Sequence, residues 1–429
     1  SFTVIQEAGK TELIAKGSPE SIFALCEPFA GKKEVEKKIL ALREEGLRIV
    51  LVASKKIPQK SIYSWADMHQ LHYVGYITFL DIPKKSARAS LQQLRAINVT
   101  AKVITGDSEI VTKKICQEVG MPVDTILTGP EIEKLSKAEL QKQVEAADIF
   151  ARVTPTQKLD IILALQANGH TVGYLGDGIN DLPALHNADV GISVNSAVDV
   201  AKDAASVVLL RKGIDVIDDG IREGRKTFTN TMKYILMGTS SNFGNMFSAA
   251  GASFFLPFLP MTPLQILRNN ALYDVSQMTI PSDNVDKASL ARPRHWNIDF
   301  IKQYMLFFGP LSSIFDFATF GVLYFFFKAD GPVFQTSWFI ESLATQVLVV
   351  FVIRTAQKPF YLTNPSTLLT LASLGVVALA IFLPFSPLAQ LFGFVTPPPL
   401  FFVFLAIIVA SYLFMVEFVK TKFLQKYTL

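Results

Sequence analysis

The chain has 429 residues and a formal charge of +4, with 50% hydrophobic and 18% charged residues. So small a charge excludes a strongly basic nucleic-acid binder, and two distant cysteines, Cys26 and Cys116, exclude a disulfide framework or a cysteine metal centre. The length admits two or three domains, and the averages conceal a division: Lys, Glu and Asp crowd the first half, whereas beyond Tyr234 the chain is apolar and rich in Phe.

No signal or transit pattern opens the chain, which begins on Ser1 inside an expected strand and so reads as a piece lacking its N-terminal part. Phe2–Gln6 and Thr11–Ala15 form a hairpin pattern around Glu7-Ala8-Gly9-Lys10. Lys16-Gly17-Ser18-Pro19-Glu20 then opens a helix, with Ser18 as N-cap and Pro19 in the first turn. Lys16 at a strand end can meet a nucleotide phosphate or base edge; alternatively it is a solvated lysine beside a capped turn. Glu34–Glu45 is a charged amphipathic helix closed by Gly46. Leu47–Ala53 is a strand whose Arg48 can pair with phosphate.

From Leu71 to Ser206 strands and helices alternate, the pattern of a parallel sheet covered by helices. Expected strands are His72–Leu80, Ala101–Ile104, Ile149–Arg152 and Thr171–Leu175. Expected helices are Ser86–Ile97 and Glu109–Glu118, and a third starts at Thr154-Pro155-Thr156 and carries Lys158. Thr171–Asn195 holds the densest signal: a short apolar strand, the loop Gly176-Asp177-Gly178-Ile179-Asn180-Asp181, a short helix and a second apolar strand. Ligands of open α/β sheets sit past the C-terminal strand ends. There Asp177 and Asp181 can converge on a hard cation, with Asn180 as a neutral donor. A Gly-Asp-Gly alone is a common turn, and Lys158 alone is a common solvated lysine. Their shared placement past strand ends points to one cleft holding Thr105, Asp107, Lys158, Asp177 and Asp181. Helix N-termini and lysine suit a phosphoryl group, and the carboxylates suit Mg²⁺. That is the equipment of phosphoryl transfer. None of Asp81, Asp107 or Asp124 has flanks suited to a covalent nucleophile.

Thr105-Gly106-Asp107, Arg152–Lys158 and Gly176–Asp181, in this order and spacing, resemble the P-type ATPases of the haloacid dehalogenase superfamily. Lys16–Glu20 is similar to that family's Lys-Gly-Ala-Pro-Glu nucleotide motif, with Ser18 for Ala. Arg48 falls at its nucleotide-binding arginine. Phe79–Lys84 is similar to its Asp-Pro-Pro-Arg hinge, departing at Ile82 and Lys84. The resemblance implies that Thr105, Gly106, Asp107 and Lys158 serve the transferred phosphoryl group. It implies that Asp177 binds catalytic Mg²⁺ with Asn180 and Asp181 in support, and that Lys16, Gly17 and Arg48 contact ATP. The implied fold is α/β, with part of a nucleotide-binding domain over 1–70 and a haloacid dehalogenase-like phosphorylation domain over 71–213. The family's phosphorylated aspartate lies in Asp-Lys-Thr-Gly-Thr. Neither that string nor the family's Thr-Gly-Glu occurs in these residues. The phosphorylation domain is thus expected to lack its nucleophile strand, and the isolated chain to form no phosphoenzyme.

Ile214–Tyr234 reads as a linking helix with Arg222, Arg225, Lys226 and Lys233, a stalk over 214–233. The remainder, 234–429, reads as an all-α transmembrane bundle of six helices, equivalent by the resemblance to the family's fifth to tenth. Stretches apolar enough to cross a bilayer, on the order of 20 residues each, are Tyr234–Leu256, Pro263–Ile280, Phe300–Phe327, Trp338–Ile353, Leu368–Phe385 and Pro399–Phe418. Buried core helices are the alternative, which six in series and a mean hydropathy of +0.33 disfavour. Lys287, Arg292, Arg294 and Lys302 follow the second stretch, Arg354 and Lys358 the fourth, and Lys420, Lys422 and Lys426 the sixth. Pro257–Thr262 and Ser386–Pro398 carry no Lys or Arg. Positive loops stay cytoplasmic, which places the first half and the C-terminus on the cytoplasmic side of a cell (inner) membrane. The basic loops also suit anionic lipid, and no oligomeric state follows.

Polar residues inside a span face a pathway or a partner. Asn242 and Asn245 share a face of the first stretch, and Asn270 and Asp274 lie one turn apart on the second. These oxygens, without His or Cys, suit a hard cation such as Mg²⁺ or Ca²⁺. Asp316 and Glu341 are further intramembrane acids, open to a pathway role, to helix–helix hydrogen bonding or to an interfacial position. Asn269–Gln277 resembles the sixth helix of bacterial Mg²⁺-importing P-type ATPases and lacks the Asn-x-x-Thr-Asp of calcium pumps. The resemblance implies that Asn242, Asn245, Asn270 and Asp274 bind the transported cation. The implied function is ATP-driven cation transport through an aspartyl phosphate, foremost Mg²⁺ import, with ATP and Mg²⁺ as cofactors. Alternatives are a pump for Ca²⁺ or H⁺, a membrane-anchored regulatory module without catalysis, and a soluble-type phosphatase fused to membrane spans.

Overall fold

The computed structural model describes residues 1–7, 10–60, 62–80, 83–211, 213–356 and 359–427. The expected turn at Ala8-Gly9, the hinge-like Asp81 and Ile82, and Lys358 lie outside the described residues. The chain divides into two units, Ser1–Asp219 and Gly220–Leu429.

The first unit opens with an antiparallel sheet of four strands in sequential order: β1 (Phe2–Glu7), β2 (Lys10–Gly17), β3 (Leu47–Lys56) and β4 (His72–Leu80). Side chains alternate between its faces. Leu13, Ala15, Ile49, Leu51 and Ala53 are buried with Ile22 of α1 (Pro19–Phe23) and Ile39 of α2 (Lys32–Glu44). Lys16, Arg48 and the exposed Ile77 and Phe79 occupy the other face, Lys16 opposite Val52 and Arg48 opposite Phe79. The alternation from Leu71 onward places His72–Leu80 in the parallel sheet. The structure corrects this, pairing β4 antiparallel with β3. Only one face of this strand is covered, which antiparallel sheets tolerate and parallel ones do not.

The rest of the unit alternates. In order come α3 (Ala87–Ala96), β5 (Val103–Ile104), α4 (Glu109–Glu118), β6 (Ile126–Thr128), α5 (Gly129–Ile132), α6 (Lys137–Ala146), β7 (Ile149–Ala151) and α7 (Pro155–Ala167). They are followed by β8 (Gly173–Leu175), α8 (Leu182–Asn187), β9 (Val190–Val194), α9 (Asp199–Ala204) and β10 (Val207–Leu209). The strands are parallel, as expected, but lie in two three-stranded sheets, β5-β7-β6 and β10-β9-β8, rather than one. In β7, Ile149, Phe150 and Ala151 are all fully buried, the mark of a central strand covered on both faces. β5 and β8 are edges of their sheets, yet Ile104 of β5 and Val172 beside β8 pack against the cores of both.

α10 (Ile214–Ala252) runs 39 residues without a break from the first unit into the second. The second unit continues with α11 (Pro263–Gln277), α12 (Lys287–Ala291), α13 (Ile298–Gly321), α14 (Gly331–Leu348), α15 (Val350–Ile353), α16 (Thr367–Phe382), α17 (Ala389–Phe392) and α18 (Pro399–Lys426). Among the described residues four helical stretches are long and apolar enough to cross a membrane: Ile298–Phe326, Gly331–Ile353, Thr367–Phe385 and Pro399–Lys426. The other two stretches of the sequence reading fall in α10 and α11. The first is interrupted by the polar run Ser240-Ser241-Asn242; the second has 15 helical residues, Asn269, Asn270, Asp274 and Gln277 among them. Gly331–Ile353 is the most deeply buried of the four and forms the centre of the bundle.

Two basic residues counted as loop charges turn out to be buried. Asp283, fully buried between α11 and α12, accepts from Lys233 of α10 at 2.7 Å and from Arg354 at 2.8 and 3.0 Å. Lys420 of α18 donates to the Val352 carbonyl at 2.9 Å.

Candidate active site

Past the end of β5, Thr105 and Asp107 make a closed local turn. The Asp107 backbone N–H donates to Thr105 Oγ1 at 3.1 Å, and that hydroxyl donates back to Asp107 Oδ2 at 3.3 Å. The neighbouring loop after β7 is stitched to it: Arg152 N–H donates to the Asp107 carbonyl at 2.9 Å and Val153 N–H to the Thr105 carbonyl at 3.1 Å. Arg152 takes a left-handed conformation, φ +53°, and pairs with Glu109 at 2.8 Å. Thr154 then caps α7 in a box with Gln157, which aims Lys158 from the first turn of that helix.

Lys158 reaches across to the loop after β8. Its Nζ donates to Asp181 Oδ1 at 2.6 Å, the Tyr174 hydroxyl donates to the same oxygen at 2.7 Å, and Gly178 N–H donates to Oδ2 at 3.3 Å. Burial pushes the Asp181 carboxyl up, but the hydrogen bonds from Lys158 and Tyr174 outweigh it and hold the group below the usual range. Gly176 must be glycine here, because a Cβ would meet Asp181 Cβ at 2.7 Å. Asp177 stands apart. Its side chain is exposed, makes no hydrogen bond or ion pair among the described residues, and borders a cavity of about 460 Å³ with Lys84, Leu175, Val194 and Leu209. Asn180 is exposed on the turn Ile179–Asp181. The structure thus joins Thr105 to Asp107 and Lys158 to Asp181, while leaving Asp177 and Asn180 open. A single uncommitted carboxylate fits Mg²⁺, which is commonly held by one or two carboxylates, water and phosphate oxygens.

Lys16 and Arg48 both stand exposed on the open face of the antiparallel sheet, where Arg48 and Asp107 form a surface pair at 3.6 Å. The motif Lys16–Glu20 is held from a distance: Arg43 of α2 donates to both Glu20 carboxylate oxygens, at 2.6 and 3.2 Å. Those bonds draw the Glu20 carboxyl below its ordinary range. Sequence reasoning missed Arg43, Tyr174 and the Arg152–Glu109 pair. Only the Arg-Val-Thr-Pro spacing drew attention to any of them.

In the second unit, Asn242 of α10 and Asn270 and Asp274 of α11 are exposed. Asn245 is half-buried, and its Oδ1 accepts from Gln346 at 2.9 Å and Ser342 at 3.4 Å of α14. No hydrogen bond joins these four residues to one another. The inner face of α11 instead buries Asn269, Tyr273 and Gln277.

A family model described as haloacid dehalogenase-like hydrolase matches residues 56–189, and one described as cation transporting ATPase, C-terminus, matches residues 258–421. The "Magnesium-transporting ATPase, P-type 1" of Escherichia coli (strain K12) is 42% identical over 100% of this chain and 49% of that protein. The protein of the same name from Salmonella typhimurium (strain LT2) is 41% identical with the same coverage. The "Calcium-transporting ATPase" of Bacillus subtilis (strain 168) is 33% identical over 62% of the chain and 30% of that protein. The chain spans about half the length of the curated magnesium-transporting relatives it matches. The haloacid dehalogenase-like match in the first unit, the cation transporting ATPase match and apolar helices in the second, and likeness along the whole chain converge: the chain belongs to the P-type ATPase family.

Proposed function

We propose that the complete protein drives a cation across the membrane at the expense of ATP through an aspartyl phosphate, and that the cation is Mg²⁺, moved inward. The observation that carries this reading is Lys158, bonded to Asp181 beside an uncommitted Asp177. In it, 1–70 is part of a nucleotide-binding domain whose sheet β4 completes, the rest of 71–213 the phosphorylation domain, 214–233 a stalk and 234–429 six membrane helices. The soluble half and C-terminus face the cytoplasm of a cell (inner) membrane. Lys16, Gly17 and Arg48 hold ATP on the open sheet face, where the exposed Ile77 and Phe79 offer an apolar surface to a base. Thr105, with Gly106 beside it, and Lys158 grip the transferred phosphoryl group, and Asp107 orients the Thr105 hydroxyl. Asp177, with Asn180 in support, would hold Mg²⁺, which when bound neutralises phosphoryl charge. Asp181 positions Lys158. A further strand between the edges β5 and β8 would bring the nucleophile to the same strand ends. In the membrane, Asn242, Asn245, Asn270 and Asp274 are the oxygen donors for the transported ion.

Metal-dependent ATPase of the full-length protein across Mg²⁺, Ca²⁺, Mn²⁺ and Ni²⁺ tests this. Stimulation foremost by Mg²⁺ is expected, and indifference to all four metals would refute the pump. Asp274→Asn is expected to abolish that stimulation and spare phosphorylation by inorganic phosphate; ordinary transport in this variant removes Asp274 from the ion site. The isolated 429-residue chain is expected to take no label from ATP.

A further inference from the structure

Tyr174 is the middle residue of β8 and is 7% exposed, clustered with the apolar Ile162, Ala184, Leu185, Ala197 and Ala201. Apolar packing alone would be served by phenylalanine. Tyrosine adds a hydroxyl, and a buried hydroxyl needs a partner. Here the partner is Asp181: the Tyr174 hydroxyl donates to Oδ1 at 2.7 Å, the same oxygen that accepts from Lys158 Nζ at 2.6 Å. The other carboxylate oxygen, Oδ2, accepts from Gly178 N–H at 3.3 Å. The loop is shaped for this approach. A Cβ at Gly176 would meet Asp181 Cβ at 2.7 Å and Tyr174 Cε1 at 3.0 Å, so only glycine lets ring and carboxylate close on each other there.

The consequence falls on Lys158. A lysine ammonium is a point charge on a flexible four-carbon stem, and its acceptors decide where it rests. An aspartate carboxylate turns in a broad, roughly two-fold well about its last torsion. Held by the lysine alone, Asp181 could swing and carry the ammonium with it. Instead three donors from three segments grip it: Lys158 from α7, Tyr174 from β8 and Gly178 from the loop between β8 and α8. Of its three protons the ammonium gives one to Asp181, its single partner among the described residues, which leaves two for a ligand. Tyr174 makes no hydrogen bond to Thr105, Asp107 or Asp177 among the described residues, so its route to the phosphoryl site runs through Asp181.

We propose that Tyr174 is a positioning residue for phosphoryl transfer: by pinning Asp181 Oδ1 it fixes the place from which Lys158 meets the transferred group. This rests on the role given above to Lys158.

Two variants of the full-length protein test it. Tyr174→Phe keeps the ring and removes one oxygen. Phosphoenzyme formation at saturating ATP is expected to slow about tenfold or more, since a misplacement of about 1 Å costs up to about 100-fold. The KM for ATP is expected to stay at the parental value, because Lys16 and Arg48 stand on the antiparallel sheet. The orthovanadate concentration that halves turnover, a mimic of the transferred group, is expected to rise by a similar factor. A general loosening of β8 would lower Tm and alter rate and KM together. A parental rate of phosphorylation overturns the proposal, as does a rise in KM for ATP that matches the fall in rate. A Tyr174→Phe protein that does not fold overturns it too, since the hydroxyl would then be structural. Lys158→Ala separates this from the underlying assignment. It is expected to form no phosphoenzyme, and normal phosphorylation would remove Lys158 itself from the site. An inactive Lys158→Ala beside an ordinary Tyr174→Phe would sink the role of the tyrosine alone.

Discussion

Asp181 shows how one side chain can set the position of another. It gathers Lys158, Tyr174 and a backbone N–H, and so fixes where the lysine charge sits. Its carboxyl is held below the usual range, so the stability it contributes is complete above the unfolded value of about 3.9 and is lost as pH falls through the folded value. Asp181→Asn is expected to lower stability at neutral pH by about 1–2 kcal/mol and to flatten the acid limb of the Tm–pH curve. An unaltered acid limb would show that the Lys158 pair contributes nothing. The Lys158 partner was half legible in the sequence: the Gly-Asp-Gly loop pointed Asp181 toward a metal, and the structure adds its bonds to Lys158 and Tyr174. Arg43 was not legible at all, because 23 residues separate it from Glu20 and no local pattern links them.

At the scale of elements, Asp283 ties α10 to the end of α15 through Lys233 and Arg354. Burial pushes its carboxyl up, but the Arg354 and Lys233 bonds outweigh that and bring it below its ordinary range. Asp283→Ala leaves two buried cations without their counter-charge, with only the carbonyls of Asn284, Thr363 and Asn364 still accepting from them. It is expected to cost about 3–5 kcal/mol, read as a drop in Tm of the detergent-solubilised protein; a change within error would mean that water replaces the carboxylate. Basic residues near span ends mark topology in the sequence, and the same residues can still be interior partners, as Arg354 and Lys420 are. β4 teaches a similar lesson. Its strand character was plain from alternation, but its partner depends on which face is covered, and that is a tertiary fact.

For the whole molecule, division into an α/β half and an apolar helical half was legible from composition alone. The split of the parallel strands into two sheets was not, since ladder partners are chosen across the fold. Those edges carry a prediction. Backbone amides of β5 and β8 that lack ladder partners are expected to exchange hydrogen rapidly in the 429-residue chain. In a longer protein containing Asp-Lys-Thr-Gly-Thr they are expected to be protected. Equal exchange in both would rule out an added strand between them.

The unbroken α10 is about 58 Å long at 1.5 Å per residue. Gly220 and Gly224 sit within it where an added methyl would meet nothing within 4 Å, so close packing does not require glycine at either position. Each costs the helix about 1 kcal/mol relative to alanine. Two such glycines one turn apart trade stiffness for compliance in this stretch of the helix. Replacing both with alanine is expected to raise Tm; if ATP turnover in the full-length protein slows as the helix stiffens, flexure of that stretch belongs to the working cycle.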